Sequence, residues 1–158
     1  MITLRCTGRV RKRFKLTVVD TDEVPTARLG DWYANLLNVG SQRWVMCVSE
    51  RSLLPVLVPA KNSEFPHRLS VYVYEALRGI GVTESVAASE ADECRDWRVA
   101  KTQSRSILGS MNDFSLHFKY VLASGASLDE AVRHVTEMPC GMLDWRYPSE
   151  AARELLRS

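Results

Sequence analysis

Three stretches of the sequence gather side chains able to do chemistry. The first is a basic run, Arg5, Arg9, Arg11, Lys12, Arg13 and Lys15, interleaved with Phe14. Cations at that density suit contact with an acidic partner, and six neutralised phosphates would make nucleic-acid binding steeply salt-dependent. The second is Asp31-Trp32-Tyr33-Ala34-Asn35, two aromatic rings between polar groups. On a strand Trp32 and Tyr33 point to opposite faces, so one belongs to the core and the other lines a pocket or an interface. The third runs from Arg105 to Asp113 and holds Ser106, Gly109, Ser110 and Asn112. At a helix start, serine and backbone N–H groups hold a phosphate, and Arg105 adds charge and a forked donor.

Each stretch also has a plainer structural reading. Ser104 serves as a helix cap, and Gly109 lets a neighbouring backbone come close. A short charged helix is commonly a solvated face, and the isoelectric point of about 8.4 lies below the value near 9 usual for a nucleic-acid module. Ser106, Ser110, Asp113 and His117 form a polar stripe at helical spacing. Ser110 and His117 would stand about 10 Å apart along the axis, whereas a nucleophile and its base need roughly 3 Å, so no triad forms within one helix. Asp113 and His117 are at i,i+4 spacing, which suits a weak pair. Trp44, Trp97 and Trp145 read as core or rim, and nothing in the spacing supplies a partner for His67 or His134.

The composition limits what else the chain can be. With 158 residues, 46% hydrophobic and 25% charged, one globular domain over residues 1–158 is expected, large enough to fold without disulfide or metal. Cys6, Cys47, Cys94 and Cys140 lie more than forty residues apart, with no metal-ligand spacing. No motif calls for a cofactor. Met1 to Leu16 is basic without an apolar stretch behind it, so no secretory signal is expected. The longest nearly apolar run, Leu53 to Ala60, is far short of the roughly 20 residues of a membrane helix. A reducing cytoplasm with free thiols is the expectation, with no membrane contact. Net charge is +2, but residues 1–80 hold 12 Lys and Arg against 7 Asp and Glu, and residues 81–158 hold 9 against 12.

Periodicity places the elements that carry these motifs. Ile2 and Leu4 alternate with polar neighbours into Cys6, a short strand, and Thr7 then starts a brief basic helix with Val10, Phe14 and Leu16 on its apolar side. The acidic stretch Asp20, Asp22, Glu23 and then Pro25 end it. Residues 32–37 and 43–48 read as a hairpin, and 53–58 as a third strand kept at an edge by Pro55. A helix spans 68–78, a solvated connection or short acidic helix 82–96, and a last strand 97–100. The clearest helix runs from about 105 to 124, with Ile107, Leu108, Met111, Phe114, Phe118, Val121 and Leu122 on one face that must pack on the sheet. Ser127 and Glu130 form a capping box for the next helix, and Pro148 or Ser149 opens the last. Strands come first and helices later, which predicts an α+β fold: a small, mostly antiparallel sheet against a C-terminal group of helices.

Leu4-Arg5-Cys6-Thr7, Leu29-Gly30-Asp31-Trp32-Tyr33-Ala34-Asn35-Leu36 and Arg105-Ser106-Ile107-Leu108-Gly109-Ser110-Met111-Asn112-Asp113 together resemble a family of small bacterial proteins known only as a domain of unknown function, found on chromosomes and mobile elements. Met138-Pro139 and Tyr147-Pro148 are also similar, so the likeness spans nearly the whole chain. The resemblance implies that these motifs belong to one fold and brings no activity. The functional expectation is a non-catalytic accessory or regulatory protein. It would bind a macromolecular partner, protein or nucleic acid, through Arg9, Arg11, Lys12, Arg13, Lys15 and a polar groove with Trp32, Tyr33, Asn35, Arg105, Ser106, Asn112 and Asp113. The alternative is a small enzyme for a phosphate-bearing or nucleotide substrate centred on Arg105, Ser106, Asn112 and Asp113. That enzyme would need a concave pocket where polar groups converge.

Overall fold

A computed structural model describes residues 1–61 and 65–157. Alternation decides the strands: in β1 (Ile2–Cys6) the residues Ile2, Leu4 and Cys6 face one core, while Thr3 and Arg5 face the other way. The same division runs through β2 (Trp32–Val39), β3 (Gln42–Ser49), β4 (Pro55–Pro59) and β5 (Trp97–Lys101). Trp32, Val45, Cys47, Val56 and Val99 lie in the first core, and Tyr33, Leu37, Met46, Val48 and Leu57 in the second.

The class is α+β, as the order of elements predicts, and the sheet is mixed. Its order is β4-β3-β2-β1-β5. β2 pairs antiparallel with β3, and β3 with β4, whereas β1 runs parallel to both β2 and β5. Sequence order alone did not reveal that the first strand is inserted between the second and the last. Parallel neighbours need crossovers, supplied by α1 (Gly8–Phe14) and by α2 (Leu69–Gly79) with α3 (Glu84–Glu93). These helices cover the first face with Val10, Leu69, Val73, Leu77 and Ala87. α4 (Arg105–Ala123) and α5 (Leu128–Thr136) cover the second. Helices therefore lie on both faces of the sheet.

On α4 the residues Ile107, Met111, Phe114 and Phe118 are buried, with Leu108, Val121 and Leu122 packed beside them, as the apolar face predicts. The capping box of α5 is formed by Ser127 and Glu130. A 3-10 turn at Gly141–Leu143 leads to α6 (Pro148–Leu156), which has proline in its first turn. It adds Ala152 and Leu156 to one core and Ala151 to the other.

Pro55 does lie at a sheet edge. Ala60 donates to the Arg43 carbonyl and Ser49 to that of Leu54, so residues 54, 56, 58 and 60 turn their backbone groups toward β3. Residues 55, 57 and 59 face outward, and with proline at two of them only Leu57 offers an N–H. An edge so poor in donors is a weak template for a further strand. α2 and α5 border it, leaving a groove of about 640 Å³ floored by Pro55, Val56 and Leu57.

Candidate functional site

The motif around Asp31 is occupied in holding its own chain. Glu90, 4% exposed on α3, accepts the N–H groups of Arg28 at 2.9 Å and Leu29 at 3.1 Å. The Asp31 carboxylate accepts from the Thr3 N–H at 2.8 Å, which ties the start of β2 to β1. Glu50 accepts from the Asp31 N–H. Burial pushes both carboxyls, Asp31 and Glu90, above their ordinary values, and the hydrogen bonds they receive oppose that rise. Gly30 has a φ of +80°, and a Cβ there would stand 2.8 Å from Glu50 Oε2. Only glycine fits that turn without strain.

Trp32 and Tyr33 do point to opposite faces, and both are buried. The Trp32 Nε1–H has no hydrogen-bond partner among the described residues. Burying an indole removes about 200 Å² from water, worth about 5 kcal/mol. That outweighs the roughly 1–3 kcal/mol cost of an orphaned donor. The Tyr33 hydroxyl accepts from the Ser104 N–H at 3.2 Å. Two residues further along the same face, Asn35 Oδ1 accepts from the Thr7 hydroxyl at 2.9 Å and from the Leu36 N–H at 2.8 Å. Tyr33 and Asn35 thus hang the starts of α4 and α1 from one strip of β2. Thr7 spends its hydroxyl on Asn35 and gives α1 no side-chain cap.

The basic run divides in two. Arg11 Nε donates to the Cys6 carbonyl at 3.3 Å, and Arg13 Nη2 donates to that of Ala60 at 2.8 Å with its guanidinium 5.1 Å from the Phe14 ring centre. Arg9, Lys12 and Lys15 are exposed and have no hydrogen bond or ion pair among the described residues. α1 ends at Lys15, which takes a left-handed conformation, well before the acidic stretch.

Arg105, Ser106, Asn112 and Asp113 are all exposed on α4. Ser104 caps the helix by accepting from the Ile107 N–H at 3.1 Å. Asn112 and Asp113 stand about 10 Å further along the axis than Arg105 and Ser106, and no hydrogen bond or ion pair links the four among the described residues. A Cβ added at Gly109 would meet no described residue outside its own helix within 4 Å, so no neighbouring described backbone comes close there. His117 lies beside His134 of α5, ring centres 5.7 Å apart, in place of a pair with Asp113. Trp44 and Trp97 are half-buried, whereas Trp145 is 72% exposed. Cys6, Cys47, Cys94 and Cys140 are free and buried; burial pushes the Cys6 thiol up to about 12 and that of Cys140 to about 11.

The spacing of the motifs did not reveal a polar cavity of about 380 Å³ beside the ends of β1 and β5. Arg5, Lys101 and Gln103 line it together with Asp20, Thr21 and Asp22. The alternation of Arg5 and Thr3 with the apolar Ile2, Leu4 and Cys6 was the available signal: a polar pair sharing the second face of a buried strand. Among the described residues no group of three His, Cys, Asp or Glu stands close enough to hold a metal ion, and no helix is long and apolar enough to cross a membrane.

An α+β fold on a mixed sheet, with conspicuous motifs used largely for its own architecture, defines a class by fold and not by chemistry. The chain belongs to the family of the domain of unknown function DUF6933, whose model matches residues 3–151. Among curated proteins none matches it.

Proposed function

We propose that this is a non-catalytic accessory or regulatory protein that docks on an acidic macromolecular surface, nucleic acid or protein, through the exposed side of α1. The observation that carries the reading is the trio Arg9, Lys12 and Lys15. Three cations on one short helix and its C-cap, unpaired with any described residue, have no part in the fold and attract a partner of opposite sign. The first turn of α4, with the exposed Arg105 and Ser106, starts from the same strip of β2 as α1. A setting on a bacterial mobile element belongs to the same reading through the family resemblance, and a reducing cytoplasm through the four widely spaced, free cysteines. The enzyme alternative lacks comparable support, because Arg105, Ser106, Asn112 and Asp113 do not converge on one point.

The test compares wild-type protein with the variant Arg9→Ala, Lys12→Ala, Lys15→Ala as bait in a bacterial lysate, with and without nuclease. Wild type is expected to retain a partner that the triple variant loses at the same salt concentration. Recovery only without nuclease identifies nucleic acid, and the slope of log affinity against log salt should then fall by about 3 in the variant. Equal recovery by both baits would remove α1 from the interface. If a phosphorylated small molecule instead raised the melting temperature and Arg105→Ala abolished the rise, the enzyme alternative would replace this reading.

A further inference from the structure

We propose that the cavity at the ends of β1 and β5 binds a small zwitterion of the α-amino acid class. Residues 19–23 form a strap along the outer side of β5. The Val19 N–H donates to the Val99 carbonyl at 2.9 Å, and Arg98 holds Thr21 at 3.1 Å and Glu23 at 2.6 Å. So fixed, the strap brings Asp20 and Asp22 to a cavity that Arg5 also lines. No ion pair closes the gap among the described residues. A guanidinium and two carboxylates therefore border the same space, with Lys101 offering its carbonyl to Arg5.

Arg5 makes this more than a chance depression. It is 8% exposed, yet its guanidinium makes a single hydrogen bond among the described residues, from Nη1 to the Lys101 carbonyl at 3.2 Å. A guanidinium has five donors, and burying its charge is costly unless partners offset it. Its nearest strand neighbours, Tyr33 on β2 and Ala100 on β5, carry no acid, and the Asp31 carboxylate, near enough to feel its charge, makes no hydrogen bond to it among the described residues. A ligand carboxylate reaching Arg5 from the cavity would add a charged acceptor.

Topology places the cavity where a ligand is expected. β1 and β5 are parallel neighbours, and the helices that follow them, α1 and α4, leave to opposite faces of the sheet. A crevice outside the carboxyl ends of strands at such a switch point is the usual ligand position in open α/β sheets. The volume of about 380 Å³ lies near the lower end of ligand pockets, about 300–1,000 Å³, which limits the ligand to a small molecule. A bare anion would meet Asp20 and Asp22, and a bare cation would meet Arg5. A molecule carrying both charges satisfies both: carboxylate toward Arg5, ammonium toward Asp20 and Asp22, with Gln103 and Thr21 as neutral partners.

The inference is independent of the proposal for α1. Its test is calorimetric titration of the wild-type protein with the common L-α-amino acids one at a time, alongside propionate, ethylammonium and inorganic phosphate. At least one amino acid is expected to bind saturably, and the three probes whose charge is of one sign are not. Replacing the buried Arg5 endangers folding, so the exposed strap carries the test: Asp20→Asn with Asp22→Asn should weaken binding at least about ten-fold. The variant lacking the α1 cations should bind as wild type does. Absence of any amino-acid binding up to about 10 mM, binding of propionate or phosphate as tight as that of the best amino acid, or unchanged affinity in the strap variant would each overturn the proposal.

Discussion

Two polar regions of this molecule look equally suggestive in sequence and behave oppositely in structure. From Arg28 to Asp31 the polar groups face inward: two backbone N–H groups end on Glu90, a third on Glu50, and the Asp31 carboxylate receives Thr3. In α1 and its C-cap, Arg9, Lys12 and Lys15 point into solvent with no described partner. A polar residue that folding has already satisfied has little left to offer a ligand. One that folding leaves unpaired is available, and its removal should hardly affect stability.

That contrast ranks the expected effects. Phe114, 2% exposed under α4, sets the scale for a side chain the fold depends on: Phe114→Ala should cost about 3–5 kcal/mol through lost burial and a cavity, read from a denaturant melt. A loss under about 1 kcal/mol would mean that α4 does not seal the second face. Gly30→Ala should come next, at about 1–3 kcal/mol, because the new Cβ combines a left-handed backbone with a clash against Glu50. A neutral result there would break the view that the Arg28 to Asp31 turn is rigidly specified.

Glu90→Gln tests the same turn through pH. Burial raises the folded carboxyl above its ordinary value of 4.5, so the folded chain binds this proton more tightly than the unfolded chain. Glu90 thus contributes stability that is present at low pH and is lost as pH rises from the unfolded value through the folded one. Glutamine does not titrate. The stability of wild type minus that of the variant should therefore be greater near about pH 4 than near about pH 7, and a difference independent of pH would refute the assignment. Smallest of all, Arg9→Ala, Lys12→Ala and Lys15→Ala together should leave the unfolding free energy within about 0.5 kcal/mol of wild type. A larger loss would show that the α1 cations, like the turn, help to hold the fold.

Arg11 and Arg13 show why the basic run was only partly legible. Spacing marks six cations alike, but whether a guanidinium finds the carbonyl of Cys6 or Ala60 depends on where those carbonyls arrive in space. Glu90 is a sharper case. It sits in a stretch that reads as solvated and acidic, and it is buried because the turn before β2 brings unpaired N–H groups to it.

What the sequence determined by itself is local. Alternation marks the first strand, apolar runs between turn residues mark the other four, a period of 3.6 marks the long helices, Ser127 and Glu130 mark a cap, and Pro55 marks an edge. Each of these depends on residues within a turn or two of one another, so nearby chemistry suffices. Tertiary structure alone decided that β1 enters between β2 and β5 in parallel, because strand pairing joins residues tens of positions apart and has no local signature. That pairing sets Arg5 beside Tyr33 and Ala100, and the strap then brings Asp20 and Asp22 to the cavity that Arg5 lines. A buried charge facing an open cavity is a property of the assembled sheet, since neither the strand nor the strap contains it alone.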